Sequence, residues 1–282
     1  MKKPQNIGSK RKPPLSPLLA KEGMGRSQIL KYYNKLFPFI SLVGLLAVWE
    51  LGVRASGIPK WILPRPSLIL AALWDTRALI WHHAVPTILE AMTGLASAVA
   101  VGAACACLIE WSAVARRILY PLLVVTQTIP TIAIAPLLVI WFGFGMVSKI
   151  VIIALVCFFP IAVNMADGFR ATDPEWLKIF RAMGARRGQI FRRVLLPAAL
   201  PGFFTGFKIA GAYSVLGAVI AEWFGAEKGL GILLMRSAKS YLTERVFATI
   251  IIVTVLSLLL VSLIEALARL SIPWHYTQKE RQ

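Results

Sequence analysis

Long apolar runs are the feature of this sequence that most restricts its fold. About 20 apolar residues cross the roughly 30 Å hydrocarbon core of a bilayer as a helix, and a helix satisfies its own backbone hydrogen bonds there. Six runs in the 282-residue chain approach or exceed that length. They cover residues 36–53, 87–109, 119–141, 147–165, 199–221 and 246–267. The sequence therefore predicts an all-α polytopic membrane protein with about six transmembrane helices.

The distribution of basic residues predicts the orientation of the chain. Its net charge of +18 would by itself also suit a nucleic-acid-binding protein. With the N-terminus inside, however, 21 basic residues fall in the inner segments and 9 in the outer ones. This is the positive-inside asymmetry of membrane proteins. We therefore expect a multi-pass membrane protein with both termini cytoplasmic and no nucleic-acid partner.

Composition divides the chain into three parts. Residues 1–35 hold nine basic residues, one acidic residue and four prolines, which predicts a disordered cytoplasmic tail near anionic membrane lipid. Residues 36–267 form the predicted transmembrane domain, and residues 268–282 form a cytoplasmic C-terminal tail. The three cysteines lie inside predicted spans without a His or carboxylate at metal-ligand spacing. We therefore predict neither a disulfide nor a metal site.

A polar loop, residues 172–197, interrupts the apolar runs in the second half of the chain. Asp173 can cap a helix that begins there, and Gly184 can end it. A second short helix follows, and Pro197 and Pro201 close the stretch. The loop combines an apolar ridge with a set of basic residues. Such a surface suits either an amphipathic helix on anionic lipid or docking to a protein.

Polar residues and prolines at membrane depth are the candidates for a solute path. Gln127 and Pro130 lie in the third run, and Asn164 lies in the fourth. Such groups are costly unless neighbours or a water-filled path satisfy them, and local kinks with internal hydrogen bonds are the alternative. Ser214 belongs to a ridge of small residues that suits a moving or dimer-forming interface or static packing. Glu222 either gates the outer mouth or is a solvated carboxylate.

No catalytic or nucleotide-binding motif accompanies these features. Gly52 and Gly57 have the spacing of a phosphate-binding loop, but Ile58 follows where that loop needs Lys. His82 and His83 lie beside the second run and are more typical of polar interface anchors than of a proton-linked site. We predict that the chain is not an enzyme and binds no cofactor, so that ATP hydrolysis would require a partner.

A series of short motifs resembles one known family. In chain order they are Leu63-Pro64-x-Pro66, Gln127-Thr128-Ile129-Pro130, Pro136-Leu137, Trp141-Phe142-Gly143, Gly184 with Leu196-Pro197, and Ala221-Glu222 with Gly229-Leu230-Gly231. Together they are similar to binding-protein-dependent ABC transporter permeases of the nitrate, sulfonate, taurine and thiamine-precursor-pyrimidine branch. The resemblance covers nearly the whole chain after residue 36. One departure is Lys178-Ile179-Phe180, which stands where the family has Glu-Ala-Ala.

The resemblance implies a type I ABC importer permease fold with a cytoplasmic coupling-helix loop. It implies ATP-binding-cassette ATPase subunits that bind the ATP, an extracytoplasmic substrate-binding protein and a second permease copy, as a homodimer. The ATPase-coupling surface would comprise Trp176, Phe180, Met183, Gly184, Ala185, Val194, Leu196 and Pro197. The translocation path would comprise Gln127, Pro130, Asn164, Ser214 and Glu222.

The implied function is import of a small polar solute of the sulfonate, nitrate or pyrimidine type, among which we favour a small aromatic heterocycle. One alternative is a secondary transporter or channel that works without an ATPase. Such a protein usually needs charged groups at the membrane midplane, and the runs contain few besides Lys208. The other is a membrane enzyme acting on lipid, for which the sequence shows no catalytic set.

Overall fold

The structure, a computed structural model, describes residue 37 and residues 40–279. The predicted basic tail, residues 1–35, lies outside the described residues. Within the described part of the chain every regular element is a helix. The chain divides into two units, one that ends at Ile58 and one that begins at Pro59. The described part of the first unit contains helix α1, residues 40–56, which corresponds to the predicted run 36–53.

The second unit is a bundle of long helices with shorter helices between them. Its elements are α2 (Pro66–Asp75), α3 (Arg77–Trp111), α4 (Ala113–Thr128), α5 (Thr131–Phe142), α6 (Met146–Arg170), α7 (Pro174–Ala182), α8 (Arg187–Glu222), α9 (Leu230–Lys239), α10 (Thr243–Ser271) and α11 (Pro273–Lys279). Helices α3, α6, α8 and α10 are long and apolar enough to cross a membrane. They contain the predicted runs 87–109, 147–165, 199–221 and 246–267, respectively.

The predicted run 119–141 is not a straight helix. Helices α4 and α5 are each too short to span, and they meet at an angle of 101°. Ile129, between them, has extended backbone angles, because a residue before proline is disfavoured in the helical region and Pro130 cannot donate to the preceding turn. Among the described residues there are thus four spanning helices, or five if the bent pair counts as one.

Two predicted boundaries are wrong. The spacing of Leu68, Ala71, Ala72 and Leu79 predicts one amphipathic surface helix from Ser67 to Trp81, but that helix breaks after Asp75. Its second part is the first turns of α3, which begins at Arg77. Pro197 does not close the polar loop, because α8 continues through it. A turn of π-helix immediately before Pro197 has the wider winding that accommodates a residue without an N–H.

Helix α6 forms the centre of the bundle and packs against both α3 and α8. Small residues bring these backbones into contact. A Cβ atom at Gly102 would lie 2.7 Å from the carbonyl oxygen of Phe158, and one at Gly206 would overlap the backbone of Pro160. At these glycines, therefore, the ridges of small residues serve packing inside the chain, which is the second of the two predicted alternatives.

Candidate functional sites: a buried carboxylate cluster and a basic loop

The carboxylate of Glu222 lies at the C-terminal end of α8 and is fully buried. One of its oxygens accepts a hydrogen bond from the hydroxyl of Thr87, with an O–O distance of 2.5 Å. The other accepts a hydrogen bond from the backbone N–H of Gly231. The solvated-carboxylate interpretation is therefore wrong. Burial with a donor on each oxygen means that Glu222 holds α3, α8 and the start of α9 together.

The turn between α8 and α9 is folded around this carboxylate. The N–H of Leu230 donates to Thr87 Oγ1 at 2.8 Å, and the N–H of Gly229 donates to His83 Nδ1 at 3.0 Å. Gly229 has a φ of +139°, which favours glycine, and a Cβ atom there would overlap the carboxyl group of Glu222. The Gly-Leu-Gly motif is thus explained by the close approach of the turn to Glu222.

A second buried carboxylate, Glu90 of α3, adjoins the first. Its Oε1 atom forms an ion pair with Lys149 Nζ of α6 at 2.5 Å. Its Oε2 atom has no hydrogen-bond partner among the described residues. The carboxyl group of Glu222 lies next to the carboxyl group of Glu90. Two carboxylates therefore share a buried site with one ammonium group, an arrangement that depends on Lys149 because unpaired buried charge is costly.

Sequence reasoning placed only Glu222 of this cluster in the functional site. It missed Thr87, Glu90 and Lys149, and it treated His83 as an interface anchor. One signal was available, since Glu90 is the only charged residue in the run 87–109. An ionisable residue inside a spanning segment is by default a candidate functional residue. The residues that pair with it could not be identified without the helix packing.

The polar loop has the local structure that its sequence predicts. Asp173 caps α7, where its side chain accepts a hydrogen bond from the N–H of Glu175 at 2.8 Å. Gly184 ends the helix with a φ of +76°. Trp176 and Met183 are exposed, so α7 presents part of its apolar ridge outward. The other predicted coupling residues are half-buried: Phe180, Ala185, Val194, Leu196 and Pro197.

The loop is attached to the α3–α4 junction as well as to its own chain neighbours. The guanidinium of Arg187 donates to the carbonyl oxygen of Trp111 at 3.3 Å and lies 5.8 Å from the centre of its ring. The ring of Phe191 packs edge-on against Trp111 at 5.8 Å. A cavity of about 460 Å³ lies between the two segments. A displacement of α7 and α8 would therefore reach α3 through these contacts.

The predicted path residues do not share one open surface. Gln127 and Pro130 are exposed at the bend between α4 and α5, whereas Ser214 is fully buried and donates to the carbonyl oxygen of Gly211 at 2.9 Å. The amide of Asn164 donates to the carbonyl oxygen of Pro160 at 2.8 Å. Ser214 and Asn164 thus make local hydrogen bonds, as in the alternative that the sequence left open. The part of these residues in a path stays a prediction.

Comparison with known proteins identifies the class. Residues 98–272 match the family described as binding-protein-dependent transport system inner membrane component. That match covers more than half of the chain, and the chain belongs to this family. In the ABC importers to which such components belong, the ATPase is a separate subunit and a binding protein delivers the solute. The predicted family, the all-helical fold and the permease function are confirmed.

Individual relatives cover most of the chain. It is 37% identical to the formylaminopyrimidine transport permease protein ThiX of Halalkalibacterium halodurans, over 87% of this chain and 98% of that one. It is 32% identical to the riboflavin transport system permease protein RibX of Chloroflexus aurantiacus, over 83% and 88%. It is 31% identical to the taurine transport system permease protein TauC of Escherichia coli, over 83% and 88%.

Solved structures support the same fold. An amino acid ABC transporter crystallised with histidines has a chain that is 15% identical, with a TM-score of 0.57 over 72% of this chain and 97% of that one. The inward-facing MetNI methionine ABC transporter has a chain that is 22% identical, with a TM-score of 0.53 over 73% and 97%. The fold is therefore that of the permease subunits of type I ABC importers.

Proposed function

We propose that this permease imports a small, neutral, nitrogen-containing heterocycle, and that it does so as a homodimer with two ATPase subunits and an extracytoplasmic binding protein. The observation that carries the choice of solute is the 37% identity with the formylaminopyrimidine permease, which extends over 98% of that relative. The riboflavin relative also handles a heterocycle. The taurine relative, whose solute is a sulfonate, is 31% identical.

The proposal places the chain in the bacterial inner membrane with the loop 172–197 in the cytoplasm. Two observations support this orientation. Basic residues are concentrated in the segments on that side, as in other inner-membrane proteins. The loop also contacts the α3–α4 junction through Arg187 and Trp111, so two segments that the sequence assigns to the same side lie together.

The exposed ridge of α7 is proposed to sit in a groove of the ATPase. Trp176, Ile179 and Met183 are large, apolar and exposed, and an aromatic anchor flanked by basic residues suits a protein interface. The chain binds no ATP in this scheme. When the ATPase pair closes, it moves α7, and the contacts of Arg187 and Phe191 with Trp111 carry the displacement to α3 while α8 carries it through the membrane.

The test is reconstitution of the three components. The permease, its ATPase and its binding protein would be placed in lipid nanodiscs, and ATP hydrolysis would be measured with formylaminopyrimidine and with taurine. We expect the heterocycle to stimulate hydrolysis and taurine to leave it at the basal rate. Stimulation by taurine alone would contradict the choice of solute. A permease that transports without any ATPase would contradict the whole scheme and favour the secondary transporter.

A further inference from the structure

A second ion pair joins α8 to α10 and is partly exposed. Lys208 Nζ of α8 donates to Glu265 Oε2 of α10 at 2.6 Å. Lys208 stands 12 residues after Leu196 and 14 before Glu222, or about 18 Å and 21 Å along the helix at 1.5 Å per residue. Lys208 is therefore near the middle of α8, whereas Glu265 stands 6 residues, or about 9 Å, before the end of α10 at Ser271. In the half of the bundle that contains this pair, charged side chains face a bundle interior or water and not lipid.

The exposure of this pair contrasts with that of the pair in the Glu222 cluster. The side chains of Lys208 and Glu265 are 32% and 26% exposed, whereas those of Lys149 and Glu90 are 14% and 5% exposed. An ion pair that the chain leaves open at membrane depth needs a polar environment outside the chain. Lipid does not supply one. The open side of Lys208 and Glu265 therefore faces water or another polar surface.

Lys208 lies at the edge of an open strip of α8. This strip, which we call the α8 wall, comprises Thr205, Lys208, Ile209, Tyr213 and Leu216, and its spacing of three and four residues places its members on one face of the helix. The large side chains exposed on α10 are mainly apolar: Ile250, Ile251, Val255, Leu258, Leu259, Leu263, Leu267 and Leu270. The surface of α10 suits lipid, whereas the α8 wall combines a cation, a hydroxyl and a phenol with apolar groups.

The charge of Lys208 is balanced locally, but its hydrogen-bonding capacity is not used up. The ammonium group has three donors, one of which serves Glu265. Glu265 also pairs with the exposed Arg269, at 3.2 Å. Burial and the hydrogen bond to Glu265 raise the pKa of the Tyr276 phenol, so Tyr276 remains a donor to Glu265. Around Lys208 itself, a solute meets spare donors beside a carboxylate that offsets part of the positive charge.

We propose that the α8 wall lines the solute path in the cytoplasmic half of the membrane, and that Lys208 donates hydrogen bonds to acceptor oxygens of a neutral solute. This inference rests on the proposed function, since it assigns the path of the same permease. Glu265 is the selective element. It weakens the field of Lys208, which would otherwise concentrate anions, because the potential of a close ion pair falls off faster than that of a single charge.

The first experiment tests whether water reaches the α8 wall. Cys105, Cys107 and Cys157 would be replaced by alanine, and Thr205→Cys and Ile209→Cys would be introduced singly into the complete complex in nanodiscs. Leu259→Cys, on the apolar surface of α10, is the matched control. We expect a charged methanethiosulfonate reagent to modify the two α8 variants at least about tenfold faster than the control, because ionised thiols form in water and not in lipid.

Equal, slow modification of all three cysteines would overturn the proposal, since it would mean that lipid or a second copy covers this face. Stimulation of ATP hydrolysis by the loaded binding protein would be measured on the same samples. Stimulated hydrolysis together with unreactive cysteines contradicts only the path inference. Absence of stimulation in the cysteine-free parent, which keeps the native α8 wall, contradicts the proposed function instead.

The second experiment tests the selective element. Glu265→Gln leaves the charge of Lys208 uncompensated, and we expect uptake of ethanesulfonate, an anion, relative to formylaminopyrimidine to rise about tenfold, a typical size for one charge interaction. The double variant with exchanged charges, Lys208→Glu with Glu265→Lys, distinguishes a role of this ion pair in the solute path from a role in stabilising the fold. The double variant should be as abundant as the parent protein but should not take up the solute, because the ammonium donors are then on α10 and no longer on α8. Full recovery of uptake with unchanged preference would overturn the proposal.

Discussion

Replacing Thr87 by valine removes one hydroxyl that makes two interactions in the buried cluster. Thr87 donates to Glu222 and accepts from the N–H of Leu230. Valine has nearly the same shape but cannot do either. The Thr87→Val variant therefore leaves a buried carboxylate oxygen and a buried backbone N–H without this partner, while the packing of α3 is almost unchanged.

The cost follows from these two groups. Each buried polar group that loses its partner costs about 1–3 kcal/mol, and a charged acceptor costs more. The turn has other contacts, through Gly229 with His83 and through Gly231 with Glu222, so it does not detach completely. We expect a destabilisation of the turn by about 2–4 kcal/mol, which corresponds to an opening roughly 30- to 1000-fold more frequent.

Hydrogen exchange measures this opening directly, because buried amides exchange when their segment opens. The amides of Gly229, Leu230 and Gly231 should lose protection in Thr87→Val, whereas those at the centre of α6 should not. Thr93→Val is the matched control, since Thr93 lies on the same helix and donates only to backbone carbonyls of that helix. Unchanged protection of the turn in Thr87→Val would refute the reasoning, as would the same loss in Thr93→Val.

Three further predictions concern the loop and the ion pair. Gly184→Val should abolish solute uptake per ATP hydrolysed at normal protein abundance, because a φ of +76° strains a β-branched residue. The control Gly188→Val, whose side chain meets open space at an ordinary φ, should keep most of the uptake per ATP hydrolysed. Full uptake per ATP hydrolysed in Gly184→Val would contradict the assignment of the loop to ATPase coupling. Trp176→Ala should lower the amount of ATPase that co-purifies with the permease about tenfold or more, as expected for an interface anchor. Unchanged co-purification would exclude Trp176 as an anchor. Lys149→Met should destabilise the protein by about 3–5 kcal/mol, because it leaves the buried carboxylate of Glu90 without its ion-pair partner. Adding Glu90→Gln to this variant should restore the melting temperature. A double variant that melts as low as Lys149→Met would contradict the argument that an unpaired buried charge causes the loss.

Local features of the fold were predictable from the sequence. The cap at Asp173, the end of α7 at Gly184 and the four long apolar helices all follow from rules that act within one segment. The break at Ile129 was visible as a proline interruption, but its angle of 101° depends on how α5 packs against α6. The early start of α3 at Arg77 was missed, since nothing in the apolar pattern marks a helix that extends beyond its span.

The Glu222 cluster could not be assembled from the sequence because its members come from three helices and a turn. The hydrophobic periodicity and the composition of the sequence place Glu90 and Lys149 in their segments. They do not give the rotation of one helix relative to another. The same limit applies to Ser214, whose type suggested a polar path and whose position in α8 buries it fully. Lys208 was noticed, but its partner Glu265 became visible only through the contact of α8 with α10.

The continuity of α8 makes this helix a lever between the two faces of the membrane. From the π turn to Glu222 it runs for 27 residues without a break, about 40 Å at 1.5 Å per residue. A tilt of about 5° at the cytoplasmic end would displace the far end by roughly 3.5 Å over that length. That displacement exceeds the O–O distance of 2.5 Å between Glu222 and Thr87. A small rotation of α8 driven by the ATPase would therefore suffice to break this hydrogen bond at the opposite face of the membrane. The cytoplasmic loop and the Glu222 cluster would then lie at the two ends of one continuous helix.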